Sequence, residues 1–244
     1  MLPPPVAASS TTRGLAPRLR ERSIRAGFGA WRRIASRLVA RLYHYDLIHR
    51  TGNFANTTWL GTPIWQNVLD LWTIQETIAE IQPTLLIETG THRGGSALFY
   101  AHLMDELDRG KVMTIDIVDL HERDHPRVEF VHGSSTDPAV AERARAACEQ
   151  VEGPVMVILD GNHSRDHVAA ELEIYGPLVT PGSVLLSQDG VIDEFWIFKG
   201  DRPGPLGANR AFLDAHPEFE YDRERNERFG LTHHPLGWMR RKAG

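Results

Sequence analysis

The chain of 244 residues is poor in several things that would each have pointed to a class of protein. A single cysteine, Cys148, excludes an internal disulfide and any thiolate zinc cluster, and fits a cytoplasmic setting. No stretch is apolar for long enough to span a bilayer. Lysine is scarce beside arginine, which reads as codon bias rather than function. The dinucleotide fingerprint G-x-G-x-x-G is missing as well: Thr91, His92 and Arg93 separate Gly90 from Gly94, so the spacing for a pyrophosphate turn fails. Nothing in the composition singles out nucleic acid as a partner. The apolar and charged fractions, 41% and 24%, are those of a soluble globular chain large enough for one substantial core.

Charge is unevenly spread. Residues 1–50 carry ten arginines against Glu21 and Asp46, whereas the whole chain has a net charge of −5. Met1–Thr12 has no periodicity and is expected to be disordered. From Ala16 to Asp46, Leu19, Ile24, Phe28, Trp31, Ile34, Leu38, Leu42 and Tyr45 recur at helical spacing among the arginines. Three readings of this basic arm stay open: packing in a homo-oligomer or on its own domain, peripheral contact with a membrane surface, and a targeting segment.

The stretch that organises the remainder is Pro83–Ser96, PTLLIETGTHRGGS. Thr84–Ile87 is a short apolar run suited to a buried parallel strand, and Glu88 sits at its end. Gly90, Gly94 and Gly95 supply a turn, Ser96 is a plausible N-cap, and Ala97, Leu98, Ala101 and Met104 continue at helical spacing. A strand, a glycine turn and a helix N-terminus place a cofactor site at the strand's carboxyl end. An acid directly before the turn repels a pyrophosphate but can attract an ammonium or sulfonium and accept from ribose hydroxyls. S-adenosylmethionine offers those groups and no phosphate, so it is the expected cofactor.

Four further strands are expected: Lys111–Ile117 with Asp116 near its end, Arg127–Val131, Gly153–Asp160 and Ser183–Ser187. Asp116 stands where doubly wound folds place a ribose acid. Helices are expected at Pro63–Ile81, after Pro138, at Arg165–Tyr175 and at Ala208–His216. Such alternation predicts a Rossmann-like, doubly wound, mostly parallel α/β sheet of about seven strands, with residues 1–50 as an arm and 51–244 as the domain. Trp59 and Trp65 wall a pocket or anchor the core; Ser134–Thr136 contact a cofactor edge or cap a helix. Val191–Gly207, which ends in the Pro/Gly-rich loop Arg202–Gly207, is a candidate lid or substrate-binding insertion, and Phe229–Thr232 and Trp238–Arg240 a terminal hairpin. Asp160, followed within three residues by His163, has the form of a catalytic site, and His163 is the candidate general base, with His92 and His167 as weaker ones.

The stretches WLGTPIWQNVLDLWTIQETI, LLIETGTHRGGSALFYAHLMD, GKVMTIDI, HGSSTDP, VMVILDGNHSRDHV, PGSVLLSQDG and HPEFEYD resemble the cephalosporin hydroxylase family. Its members include rhamnosyl O-methyltransferases, and it has a class I S-adenosylmethionine-dependent methyltransferase fold. The resemblance spans roughly Trp59–Asp222 and implies an O-methyltransferase acting on a hydroxyl of a sugar or another natural product. It implies that Glu88 and Gly90 meet the methionine part of the donor, Asp116 the ribose and Ser135 the adenine. Thr91, Gly94, Ser96 and Asp160 complete the expected cofactor set. It further implies Asp160 and Asp189 as magnesium ligands. The family's Glu-Asp after the fifth strand is Gln188-Asp189 here, so Gln188 can offer only a neutral carbonyl oxygen and a need for metal is put in doubt. The alternatives are a hydroxylase whose iron is held by Asp160, His163 and His167, and a non-catalytic relative docked through the arm.

Overall fold

The computed structural model describes residues 35, 36 and 38–244. Most of the arm expected over Ala16–Asp46 lies outside them; residues 35, 36 and 38–45 are helical. By compactness the chain divides at Tyr43, with His44–Gly244 as one unit. No helix among the described residues is long and apolar enough to cross a membrane.

In that unit a small antiparallel pair, β1 (Thr58–Trp59) and β2 (Thr62–Pro63), precedes the main sheet. The main strands are β3 (Leu85–Thr89), β4 (Lys111–Asp116), β5 (Val128–His132), β6 (Val155–Leu159), β7 (Val184–Ser187), β8 (Phe219–Tyr221) and β9 (Trp238–Arg241). Their order is β5-β4-β3-β6-β7-β9-β8, with β9 antiparallel to both of its neighbours and the first five parallel. The predicted seven-stranded, mostly parallel sheet is therefore present.

Within His44–Gly244 the longer helices are α1 (Val68–Ile81), α2 (Gly95–Glu106), α3 (Pro138–Glu149), α4 (Arg165–Tyr175) and α5 (Pro205–Ala215). Alternation along each strand feeds two cores. Ile87, Met113, Val157 and Leu185 pack with Tyr175 and Phe212 on one side; Leu86, Val112, Met156 and Leu186 pack with Ile74, Ile78 and Tyr100 on the other. Each such buried side chain contributes roughly 1.5–3 kcal/mol relative to exposure. Because both faces are covered, β3 and β6 are buried at every position rather than at alternate ones, and β6 is apolar throughout.

Several boundaries differ from the sequence expectation. The first helix begins at Val68, not Pro63, since Pro63 is in β2 and Trp65 has a left-handed φ of 44°. Asn67 caps it by accepting from the Leu69 N–H. Ser96 is not an N-cap: that position is Gly94, whose φ of 81° suits a residue without a Cβ. Asp137, rather than the preceding hydroxyls, caps α3. The terminal hairpin does not form. Phe229–Thr232 carries no strand, and β9 pairs with β7 and β8 instead, because the loop between them is pinned against the end of β7. Cys148 is a free, half-buried thiol, pushed by burial up to about 11.

Candidate active site

The chain leaves β3 outward through β4 and β5 and then returns to β6 on β3's other side. Order reverses between β3 and β6, and the crevice beyond their carboxyl ends is where doubly wound sheets bind ligands. Gly90 closes β3 and Asp160 follows β6. A Cβ on Gly90 would stand 2.0 Å from the Asp160 carbonyl oxygen, and its φ is 89°, so two loops meet here that only glycine lets approach.

A cleft of about 580 Å³ opens at this point, within the range of small-molecule sites. Gly90, Thr91, Gly95 and Ser96 line it from the turn, Asp116 from β4, Ser135 from beyond β5, and Asp160, His163 and Asp189 from β6 and β7. The structure thus gathers Gly90, Thr91, Ser96, Asp116, Ser135 and Asp160 of the expected cofactor set around one space.

Glu88 and Gly94 are not among the lining residues. Glu88 is fully buried beneath the floor, where Thr114 donates to its Oε2 at 2.6 Å. Thr114 has one hydroxyl hydrogen and spends it there, so the Thr91 hydroxyl, 2.7 Å away, donates to Thr114. Burial pushes the Glu88 carboxyl up to about 7, opposed by the hydroxyls of Ser96 and Thr114. Asp116 accepts from the backbone N–H groups of His92 at 2.8 Å and Val118 at 3.0 Å. A carboxylate has about four lone-pair sites, so Asp116 can still accept from ligand hydroxyls.

At the other end of the cleft, Asp160, His163 and Asp189 offer ligand atoms that all lie within 4.8 Å of one another. His163 Nε2 is 3.3 Å from Asp189 Oδ2 and 4.0 Å from Asp160 Oδ1. Burial first, then the charges of Asp189, Glu88 and Glu171, push the Asp160 carboxyl well above the usual range. A divalent cation would relieve that crowding. Magnesium binds through one or two carboxylates while keeping several waters, and the paired Asp160 and Asp189 fit that habit.

Gln188 does not join this group. It is buried, and its Oε1 accepts from Gln66 Nε2 at 2.7 Å; the same amide donates to Asp160 Oδ2 at 2.7 Å. Nor does His167 join: its Nε2 faces Ser135 Oγ at 3.1 Å and Glu171 Oε1 at 3.5 Å, and the Glu171 bond raises its pKa. The two-histidine, one-carboxylate iron set is therefore not assembled. Of the two tryptophans, Trp65 lines the cleft, stacked on His92 at 4.3 Å, whereas Trp59 bonds His102 Nδ1 and packs on Phe99. None of residues 191–207, the expected lid, lines the cleft.

Gln66 and Thr114 are site residues that the sequence reading passed over. Gln66 had one available signal, an amide beside Asn67 inside the largely apolar run PIWQNVLDLW, matched by an amide at 188 where an acid was expected.

A parallel sheet with its cleft at the switch point, a glycine turn after an acid and a second acid ending the next strand defines a Rossmann-like methyltransferase. The chain belongs to the Rhamnosyl O-methyltransferase/CmcI family, whose model matches residues 52–242. It is accordingly an S-adenosylmethionine-dependent O-methyltransferase. A rhamnosyl O-methyltransferase of Mycobacterium tuberculosis (strain ATCC 25618 / H37Rv) is 38% identical over 192 residues, 76% of this chain and 78% of the relative. That of Mycobacterium leprae (strain TN) is 35% identical over 199 residues, 78% and 86% of the two chains. In fold, the chain is similar to an apo structure of CmcI, with a TM-score of 0.61, 17% identity and 78% of each chain covered. A CmcI structure with Mg and SAM superposes with a TM-score of 0.59 at 16% identity, again over 78% of each chain.

Proposed function

We propose that the protein methylates a hydroxyl of a sugar or a similar hydroxylated natural product, with Mg2+ held by Asp160 and Asp189. The observation that carries this is the convergence of two carboxylates and an imidazole at one end of a cleft whose other end holds Asp116 and Ser135. The mycobacterial relatives, named as rhamnosyl O-methyltransferases, support a sugar acceptor.

Bound S-adenosylmethionine supplies a methyl already activated by its sulfonium, and bound Mg2+ supplies Lewis-acid polarisation of the acceptor oxygen. The chain's own residues do the rest. Asp116 accepts the ribose hydroxyls, and Ser135 and His167 face the base. Gly90 and Thr91 let the methionine part lie against backbone, with Glu88 and Gly94 shaping the turn from behind and Ser96 entering the helix beside it. His163, open to the cleft between both carboxylates, would take the acceptor hydroxyl's proton as that oxygen bonds the methyl and the methyl–sulfur bond breaks, the sulfonium leaving as the neutral thioether. Gln188 acts from behind Asp160 rather than as a ligand. Residues 51–244 form the catalytic domain. Residues 1–50 serve self-association into a homo-oligomer or peripheral contact with a membrane, in a cytoplasmic protein.

Alanine at His163 tests the assignment. Methyl transfer to rhamnose-bearing glycosides is expected to fall by about a hundredfold or more, with donor and Mn2+ affinities retained in calorimetry. Unchanged turnover would remove His163 from the mechanism. Loss of Mn2+ binding would make it a metal ligand and not the base.

A further inference from the structure

Both acids of the ion site are held from inside the protein. Asp160 has its Oδ2 bonded by Gln66, which leaves Oδ1 on the side of His163. Asp189 turns Oδ2 toward His163, while its Oδ1 lies 3.8 Å from His234 Nδ1 on the inner side. The backbone N–H of Asp189 donates to that same Nδ1 at 3.0 Å.

Gln66 and His234 are 3% and 1% exposed, and neither lines the cleft. Resting on the assignment of Asp160 and Asp189 to the metal, we propose that Gln66 and His234 are positioning residues that fix which oxygen of each carboxylate reaches the ion. Gln66 spends both amide hydrogens, one on Asp160 and one on Gln188 Oε1, so the carbonyl at 188 locks the amide that locks Asp160.

His234 has a different task. Asp189 has a left-handed φ of 57°, which is costly for a residue with a Cβ and persists only when its surroundings hold it. Because Nδ1 accepts from Asp189, the neutral ring carries its proton on Nε2, 3.7 Å from Asp70 Oδ2. Asp70 is in turn fixed by Asn67 Nδ2 at 2.9 Å, Thr232 Oγ1 at 2.7 Å and the His233 N–H at 2.8 Å. One segment, Gln66–Asp70 at the start of α1, thereby reaches both acids, one directly and the other through the 232–234 loop.

The test is Mn2+ binding, followed by electron paramagnetic resonance with the metal alone and then with Mg2+ as competitor, on the full chain. Gln66→Met and His234→Leu are each expected to weaken Mn2+ by roughly 10–100-fold, the usual effect of losing an outer partner of a metal ligand. His234→Asn, whose amide oxygen can accept the Asp189 N–H, should return affinity to within about threefold of the parent. S-adenosylmethionine affinity should stay within about twofold throughout. If the parent chain binds no Mn2+, the metal assignment falls and this inference with it. Parent binding matched by both variants overturns positioning alone. Parallel loss of donor and metal affinity, or failure of the asparagine to rescue, would show a purely structural role and equally overturn it.

Discussion

The two ends of the cleft are built by different means. The β3–β4 end rests on backbone: a strand, a glycine turn and a helix start within Leu85–Ser96, with the His92 N–H bonded to Asp116. The β6–β7 end rests on side chains whose partners are remote in sequence, Gln66 being 94 residues from Asp160 and 122 from Gln188. A site made of backbone leaves a local signature in the chain, whereas one made of long-range side-chain contacts leaves only isolated residues. The ends meet at the mouth of the β3–β6 pair, where Gly90 packs against the carbonyl of Asp160 and the Asp160 N–H donates to the Thr89 carbonyl at 3.0 Å.

Breaking that point should collapse the distinction. In Gly90→Ala, the new Cβ would lie 2.0 Å from the Asp160 carbonyl oxygen in a backbone region that L residues avoid, and the atom in the way is backbone, which cannot rotate aside. A loss of about 4 kcal/mol in unfolding free energy is expected. Donor and Mn2+ affinities should fall together. Normal stability by denaturant titration would mean that the loops can separate freely and that the ends are independent.

The same contrast explains what the sequence discloses. Pro83–Ser96 reveals the strand, the turn and the helix because each step has a local cause, and Asp116 and Asp160 are legible as acids ending apolar runs, whereas Asp189 is singled out by the family resemblance. Seven strands in a mostly parallel sheet follow from that alternation. Gln66 and His234 are not legible. One is a neutral amide in a stretch whose family resemblance gives it no role; the other sits in a loop whose flanking residues suggest a hairpin, while its partner is an N–H 45 residues away. Gln188 is implied as a ligand only by the family's Glu-Asp at this place, and the position of Gln66 shows its carbonyl turned inward. The cap at Gly94 was assigned to Ser96 because a positive φ has no mark in composition.

Glu88 sharpens the comparison from beneath the backbone-built end. Its carboxyl rises from the usual 4.5 to about 7 through burial. The folded state therefore holds this proton more tightly than the unfolded chain does. The associated stability is fully present below about pH 4.5 and is lost as pH rises through about 7, a total of about 3 kcal/mol for this group. Without cofactor or metal, Glu88→Gln should remove that part of the slope, so that the parent loses about 2.5 kcal/mol more than the variant between pH 5 and pH 8. Parallel stability curves would mean that Glu88 is ionised in the fold at neutral pH.

Asp116 gives the smallest and most selective effect. Asparagine at this position keeps an oxygen that can accept from the His92 N–H but removes the charge offered to ligand hydroxyls. Hydrogen bonds to a charged group are worth about 1.5–3 kcal/mol, and the amide oxygen still accepts, so a donor affinity lowered about tenfold is expected. Mn2+ affinity should not change, because Asp116 is absent from the group formed by Asp160, His163 and Asp189. Should the metal weaken as well, the two ends would be coupled through more than Gly90. The floor offers such a route, since burial and the charges of Asp189 and Glu88 act together on Asp160. Non-additive losses of Mn2+ affinity in the double-mutant cycle of Asp116→Asn and Glu88→Gln would then identify that route as electrostatic, because the Glu88 and Asp160 charges interact.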